Sequence, residues 1–135
     1  MNVIYEFTEK QIEQLHALYQ DEWWSKGRSL EATKRCILGS QLCIGLVDEF
    51  NQLQGFARVV TDFTFKALIF DVIVSPEYRG IDQGKRLISL IKKDVKLKEV
   101  VHFELYCRPE LQEFYKSLGF SADIGGIQLM RLNNA

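Results

Sequence analysis

The chain has 135 residues, of which 47% are hydrophobic and 26% are charged, and its formal net charge is −1. This length suits one domain with its own core, and the balance of apolar and charged residues excludes wholesale disorder. A nearly neutral chain lacks the basic face of a general nucleic-acid binder, so we expect no nucleic-acid partner.

The first part of the chain predicts one strand and two helices. Asn2–Phe7 has the composition of a short strand. Thr8 and Gln11 fit a capping box at the start of a helix, and apolar residues follow at helical spacing. Ser29 is the expected N-cap of a second helix, which continues to about Leu38.

Three apolar runs follow one another with short connections in the middle of the chain. They are Gln41–Phe50, Gln54–Phe63 and Lys66–Val74. Runs of this kind separated by turn residues are typical of strands. Because the connections are short, we expect the three strands to form an antiparallel meander.

The remaining sequence alternates between helix and strand. A helix is expected after Gly84, a strand at Val100–Cys107, a short helix from Pro109 and a last strand at Ile127–Leu132. The strand–helix–strand order makes Val100–Cys107 a parallel neighbour of Lys66–Val74. We therefore predict an α/β (α+β) three-layer sandwich. Its mixed, mostly antiparallel sheet has six to seven strands and a central βαβ unit, in one domain covering residues 1–135.

The sequence has few potential metal ligands and lacks the pattern of a targeting signal. The chain has three cysteines and two histidines, with no CxxC pair, so we expect no metal site. The N-terminal segment lacks the pattern of a signal peptide, and no apolar run is long enough to cross a bilayer. We expect a cytoplasmic protein with no membrane partner.

A glycine-bearing turn after the third meander strand predicts an anion site. The N-terminus of a helix presents unpaired N–H groups and a partial positive charge, which favour phosphate. In the stretch RGIDQGK, Gly80 and Gly84 allow close approach of the backbone, while Arg79 and Lys85 add positive charge. Two glycines near a helix start are equally common as simple turn and cap residues.

A longer stretch gives this turn a family context. The sequence VIVSPEYRGIDQGKRLI resembles the acetyl-CoA signature of the GNAT N-acetyltransferase superfamily, in which Arg-Gly-x-Gly-x-Gly opens a helix after an apolar strand. The sequence EFYKSLGF resembles a second landmark of that family, a helix that ends in tyrosine followed by Gly-Phe. Two positions depart from the pattern. Asp82 replaces the middle glycine, and Arg108 stands where many members have asparagine.

The resemblance implies that acetyl-CoA is the co-substrate. The backbone of Val72, Ile73 and Val74 would bind the pantetheine arm as an added strand, with an N–H directed at the thioester carbonyl. The phosphates would contact the turn and the helix start, at Arg79, Gly80, Ile81, Asp82, Gln83, Gly84 and Lys85.

The resemblance also implies an acid, and the sequence offers several candidates for a base. Tyr115 matches the tyrosine that acts as general acid in many members, although it could also simply pack the end of its helix. Asp71 interrupts an apolar strand, so it is either the base or the ion-pair partner of Arg58. Glu104 is a second candidate base, and Cys107 would permit a covalent acetyl-enzyme. A structural role is the simpler interpretation for both.

Aromatic and charged residues predict where the acceptor binds. Aromatic rings near a carboxylate suit an organic cation, although they could equally pack the helices onto the sheet. The expected acceptor site comprises Trp23, Trp24, Arg58, Asp62 and Phe63.

These features together predict an N-acetyltransferase. It would transfer an acetyl group from acetyl-CoA to an amine of a small molecule or peptide by direct attack on the thioester. The alternative is a catalytically silent acetyl-CoA sensor or interaction module, which Asp82 would favour. An exposed edge strand would also allow a homodimer.

Overall fold

The computed structural model describes residues 1–80 and 82–134, and within them the sheet has five strands. The strands lie in chain order across the sheet, with β1 to β4 antiparallel and β5 parallel to β4. The predicted meander and the predicted parallel pair are therefore confirmed. The bounds are β1 Asn2–Ile4, β2 Leu42–Val47, β3 Leu53–Thr61, β4 Lys66–Val74 and β5 His102–Leu105.

Four α-helices flank the sheet within the described residues, and the first two begin at the caps that the sequence indicates. Thr8 and Gln11 form both hydrogen bonds of the capping box, and the Ser29 hydroxyl accepts from the N–H of Ala32. The helices are α1 Glu9–Gln20, α2 Leu30–Leu38, α3 Gln83–Lys93 and α4 Gln112–Ser117. Single 3₁₀ turns lie at Pro76–Tyr78, Val95–Leu97 and Pro109–Leu111.

The strands direct alternate side chains to two core layers, because successive residues of a strand face opposite sides of the sheet. One layer packs β2 to β4 against α3, with Leu87, Ile88 and Ile91 at its centre. The other packs the sheet against α1 through Leu15 and Tyr19. The predicted three-layer arrangement is confirmed.

The predicted number of six to seven strands is wrong for the part of the chain that the structure describes. Ile127–Leu132 has the apolar pattern of a strand but carries no regular secondary structure, and its large apolar side chains are exposed. An apolar pattern indicates only that a segment has an apolar face. To form a strand, the segment must also hydrogen-bond to the edge of a neighbouring strand. β1 and β5 are also shorter than the runs Asn2–Phe7 and Val100–Cys107.

No helix in the described ranges is long and apolar enough to cross a bilayer. The cytoplasm remains a prediction for the location of the protein.

Candidate active site

The two parallel strands pair along only part of their length. Their register runs from Lys66 opposite His102 to Ile69 opposite Leu105, where β5 ends while β4 continues to Val74. Beyond this point the second half of β4 has no parallel partner strand among the described residues, and we call the space beside it the cleft.

A β-bulge in β4 adjoins the cleft. Phe56 lies opposite Ile73 and Arg58 lies opposite Phe70, so β4 has one residue more than β3 over this interval. Asp71 lies in this interval and adopts the left-handed conformation, with φ of 56°. Bulges bend a strand and increase its twist, and an aspartate tolerates this backbone conformation better than most residues. The sequence does not predict the bulge, because a bulge is a difference in register between two strands.

The backbone after the bulge offers polar groups to the cleft. The N–H of Ser75 donates to the carbonyl of Gln54 on the β3 side, at 2.8 Å. Because backbone groups alternate along a strand, those of Val72 and Val74 face the opposite side, toward the cleft. By the same alternation the backbone of Ile73 faces β3, and its side chain is buried against the α1 layer. The structure thus brings two of the three predicted pantetheine-binding residues to the cleft.

The turn before α3 has the form of an anion cradle. Gly80 has φ of 80°, and Asp82, the N-cap of α3, has φ of 62° and makes no side-chain cap hydrogen bond. The Asp82 side chain is exposed. A Cβ added to Gly84 would lie 3.5 Å from Phe114, an ordinary contact, so internal packing does not require a glycine there. Ile81, also predicted to bind the coenzyme, lies outside the described residues.

A buried polar atom at the same turn has no partner among the described residues. The Oε1 of Gln83 makes no hydrogen bond with any described residue, although buried side-chain oxygens normally have a partner. This atom fits a polar ligand at the start of α3. The positions of the amide oxygen and nitrogen exchange by a 180° rotation of the group. The side chain can therefore present a donor to a phosphate as well.

The basic residues of the cradle have different surroundings. Arg79 donates from Nη2 to Glu22 at 2.8 Å and from Nε to the carbonyl of Val74 at 3.0 Å. Lys85 lines a groove of about 390 Å³ between α3 and α4, together with Lys92 and Lys93. The cradle is therefore flanked by positive charge, but Arg79 points to the cleft strand and to the loop after α1.

Tyr115 on α4 is half-buried beside the end of β5. Its ring packs edge-on against Phe120, with the centroids 5.9 Å apart. It also lines a groove of about 880 Å³ beside β5, together with Leu105 and Cys107. Burial, and then the charge of Cys107, raises the pKa of Tyr115 to about 12. The phenol therefore keeps its proton at neutral pH, as an acid must.

Asp71 is the centre of a charged cluster. Its Oδ2 accepts from Arg58 Nε at 2.7 Å, from Arg28 Nη1 at 2.8 Å and from the hydroxyl of Tyr19 at 2.8 Å. Burial alone would raise the pKa of the Asp71 carboxyl. The hydrogen bonds from Arg28 and Arg58 and the charge of Arg58 outweigh it, so the pKa is lowered. The ion pair between Asp71 and Arg58 was one of the two roles expected for this carboxylate.

Sequence reasoning missed Arg28 and Tyr19 as members of this cluster. Tyr19 lies on the apolar face of α1, where an aromatic residue is expected to be core. Arg28 ends a polar loop and meets a carboxylate 43 positions further along the chain. Neither contact leaves a local signal in the sequence.

The loop after α1, residues 21–28, brings both predicted tryptophans toward the site. The Arg28 guanidinium lies over the ring of Trp24, 5.4 Å from its centroid. Arg108, at the other side of the cleft, lies 4.7 Å from the ring centroid of Trp23. Together with the Glu22–Arg79 ion pair, these contacts hold the loop across the mouth of the cleft.

Two predicted acceptor residues lie elsewhere. Asp62 accepts backbone N–H bonds from two residues of the β3–β4 turn and from the first residue of β4, and these bonds lower its pKa. Phe63 is exposed in the same turn. Both residues follow the end of β3, four and five positions beyond Arg58, or roughly 13–17 Å along an extended chain.

Glu104, the second candidate base, pairs with Lys66 at 2.8 Å. The described residues form no group of three or more metal-binding side chains.

A mixed sheet whose two parallel strands separate beside a glycine turn and a helix start is the arrangement that the family resemblance implies. Comparison with protein families agrees, because the acetyltransferase (GNAT) domain matches residues 39–122. The chain belongs to the GNAT acetyltransferase family and is an acyltransferase.

Individual relatives support this assignment. The N-acetyltransferase ycf52 of Pyropia yezoensis, named as uncharacterized, is 33% identical over 120 residues, which cover 87% of this chain and 68% of the relative. A GNAT-family crystal structure from Xanthomonas campestris pv. campestris is 29% identical, with a TM-score of 0.81 over 98% of this chain and 94% of the other. The fold is also shared with an aminoglycoside 6'-N-acetyltransferase in complex with coenzyme A. That enzyme is 17% identical, with a TM-score of 0.75 over 88% of this chain and 84% of the other.

Proposed function

We propose that the protein transfers an acetyl group from acetyl-CoA to an amine of a small molecule or peptide, by direct attack of the amine on the thioester. The observation that carries this proposal is the cleft itself. The stretch of β4 beyond its pairing with β5 leads from the cradle at the start of α3 toward the end of β5, beside which Tyr115 lies.

The chain's own groups would bind the coenzyme along this path. The backbone of Val72 and Val74 would add the pantetheine arm to the sheet edge, as a peptide is added in β-augmentation. The N–H groups at the start of α3 and the amide of Gln83 would receive the phosphates. Asp82 does not oppose this, because its exposed side chain makes no capping hydrogen bond at the helix start.

Two groups would assist the transfer. The N–H of Val72 faces the cleft and would donate to the thioester oxygen as negative charge develops on it. Tyr115 would donate its phenolic proton to the departing sulfur, since it remains protonated at pH values where a thiol of pKa ~8.5 ionises.

Asp71 is better suited to positioning than to proton abstraction. Its lowered pKa and its three donors on Oδ2 make it a weak base. We assign it the role of fixing Arg28 and Arg58 beside the cleft. The proton of the acceptor amine would then pass to water at the cleft mouth.

The net charge of the cluster at the proposed acceptor site favours one class of amine. Arg28 and Arg58 share a single carboxylate, so the cluster has an excess of one positive charge. This favours an amine that also carries a carboxylate or phosphate group, rather than the organic cation that the aromatic residues suggested. Trp24, which stacks on Arg28, would form a wall of this acceptor site.

Release of free thiol from acetyl-CoA tests the proposal. The assay would compare amines that bear an anionic group with neutral and polycationic amines of similar size. We expect release with the first class and at least a hundredfold slower release with Tyr115→Phe. Binding of acetyl-CoA without release for any amine would instead support the silent sensor or interaction module. Preference for polycations would refute the assignment of Arg28 and Arg58.

A further inference from the structure

Arg79 connects the strand beside the cleft to the loop after α1. Its Nε donates to the carbonyl of Val74 at 3.0 Å, and its Nη2 donates to Glu22 Oε1 at 2.8 Å. The carbonyl of Val74 faces the cleft, because backbone groups alternate along a strand. One guanidinium therefore covers a cleft-facing acceptor and binds a carboxylate of the loop at the same time.

Glu22 belongs to a compact turn that carries both tryptophans of the chain. The Glu22 carbonyl accepts from the N–H of Ser25 at 3.2 Å and from that of Lys26 at 2.8 Å. Trp23 and Trp24 lie between these positions, and the chain has two tryptophans in total. A change in the position of Glu22 therefore changes the surroundings of the tryptophans.

The two halves of the loop are held in different ways. The buried hydroxyl of Ser25 donates to the carbonyl of Tyr19 at 2.7 Å, and the side chain of Gln20 bonds backbone groups further along the loop. These contacts fix residues 25–28 to α1. Residues 22–23 are held instead by guanidinium groups at the two sides of the cleft.

The ion pair between Glu22 and Arg79 is exposed enough to exchange partners. The side chain of Glu22 is 22% exposed and that of Arg79 is 52% exposed. Exposed ion pairs contribute little, because solvent screens both charges. A phosphate group accepts from the same donors and carries more oxygen acceptors than a carboxylate, so it can replace the carboxylate at a guanidinium.

We propose that Glu22 is a positioning residue that competes with the coenzyme for Arg79. A pantetheine arm added to β4 would donate an N–H to the carbonyl of Val74, and a phosphate at the cradle would draw the guanidinium away from Glu22. Coenzyme binding would thus release residues 22–23 and open the mouth of the cleft to the acceptor. The identity of the competing ligand rests on the proposed function.

Competition for one guanidinium has two consequences. Glu22 lowers the affinity for CoA, because its ion pair must break when CoA binds. CoA in turn changes the surroundings of the tryptophans, since the two equilibria share Arg79 and coupling between sites is reciprocal. Both consequences concern binding, so they are measured without an acceptor and without turnover.

Calorimetric titration of the folded variants with CoA measures the first consequence. We expect Glu22→Gln to bind CoA about two- to fivefold more tightly than the wild type, as the loss of a competing exposed ion pair predicts. Arg79→Gln should weaken binding. In that background Glu22→Gln should have no further effect, because the shared guanidinium is absent.

Glu99→Gln is the control for the change in charge. Glu99 is exposed in the segment before β5, which pairs with the start of β4, so it lies at the far end of that strand from Val74. This variant removes the same charge as Glu22→Gln and should bind CoA with the wild-type affinity.

Tryptophan fluorescence measures the second consequence, because both tryptophans lie in the loop. Without CoA, Glu22→Gln and Arg79→Gln should show the same change in emission relative to the wild type, since each breaks the same ion pair. CoA should shift the emission of the wild type in the same direction and that of Glu22→Gln far less.

Three results would overturn the inference and leave the proposed function intact. The first is a Glu22→Gln variant that binds CoA no more tightly than the wild type. The second is an equal gain in affinity from Glu22→Gln with and without Arg79, because charge repulsion would then explain it. The third is wild-type emission from ligand-free Glu22→Gln. Failure of CoA to bind any variant would refute the proposed function as well.

Discussion

Replacing Asp71 with asparagine separates the two roles that its sequence position allows. The substitution removes the negative charge but keeps the size of the side chain. Asparagine also tolerates the left-handed backbone of the bulge. If Asp71 holds the cluster together, the variant should lose stability. If Asp71 is only a base, the variant should lose turnover but keep its stability.

The magnitude follows from the burial of the cluster. The Asp71 side chain is 6% exposed, while those of Arg58 and Arg28 are 17% and 33% exposed. Removing one partner of a buried ion pair costs about 3–5 kcal/mol, because the other charge is left unpaired. Because Arg28 is partly exposed, solvent screens its charge and reduces its contribution to this cost. We therefore expect the free energy of unfolding to fall by about 3 kcal/mol. For a domain of this size that is a fall in Tm of roughly 10 °C.

The pH dependence provides an independent readout. The folded-state pKa of Asp71 lies below its ordinary value. Its contribution to stability is therefore fully present above the unfolded pKa of ~3.9 and is lost as the pH falls through the folded pKa. The difference in unfolding free energy between wild type and variant should be constant near neutral pH and shrink below about pH 4.

Urea unfolding at several pH values measures this difference, and Asp82→Asn is the matched control. Asp82 is also left-handed, but it is exposed and makes no capping hydrogen bond, so we expect a change below ~0.5 kcal/mol. An Asp71→Asn variant as stable as the wild type, with turnover abolished, would refute the structural role and restore Asp71 as the base.

Three further substitutions probe other parts of the molecule. Tyr115→Phe should lower kcat by about 10²-fold with little change in the KM for acetyl-CoA, since it removes only the proton donor; equal turnover across pH would exclude Tyr115 as the acid. Gly45→Ala should cost about 1–3 kcal/mol in urea unfolding, because its Cβ would lie 2.8 Å from side-chain atoms of Ile4 and Phe7; unchanged stability would contradict this packing. Trp23→Ala should raise the KM for the acceptor several-fold and leave stability nearly unchanged, as its side chain is 68% exposed at the cleft mouth; an unaltered KM would remove it from the acceptor site.

The elements that the sequence predicts well depend on local chemistry. The capping box at Thr8 and the serine cap at Ser29 fix where helices begin, and both need only residues within one turn. β4 has the predicted bounds because its apolar run, although interrupted by Asp71, is flanked by turn residues. The parallel pairing of β4 with β5 follows from the connection between them.

The features that the sequence does not reveal depend on distant partners. The bulge at Asp71 is a difference in register between two strands, which neither strand's own pattern contains. The donors from Arg28 and Tyr19 reach Asp71 across 43 and 52 positions of the chain. The apolar pattern of Ile127–Leu132 predicts a strand, but no pattern within it identifies a partner edge. The roles of Tyr115 and of the cradle residues stay predictions.

Calorimetric titration of the folded protein with acetyl-CoA tests the proposed use of the cleft most directly, with CoA and ATP as controls. We expect acetyl-CoA and CoA to bind at micromolar concentrations, ATP to bind far more weakly, and Tyr115→Phe to retain the wild-type affinity for acetyl-CoA. Failure of the folded protein to bind acetyl-CoA, or equally tight binding of ATP, would contradict the assignment of the cleft and its cradle to the coenzyme.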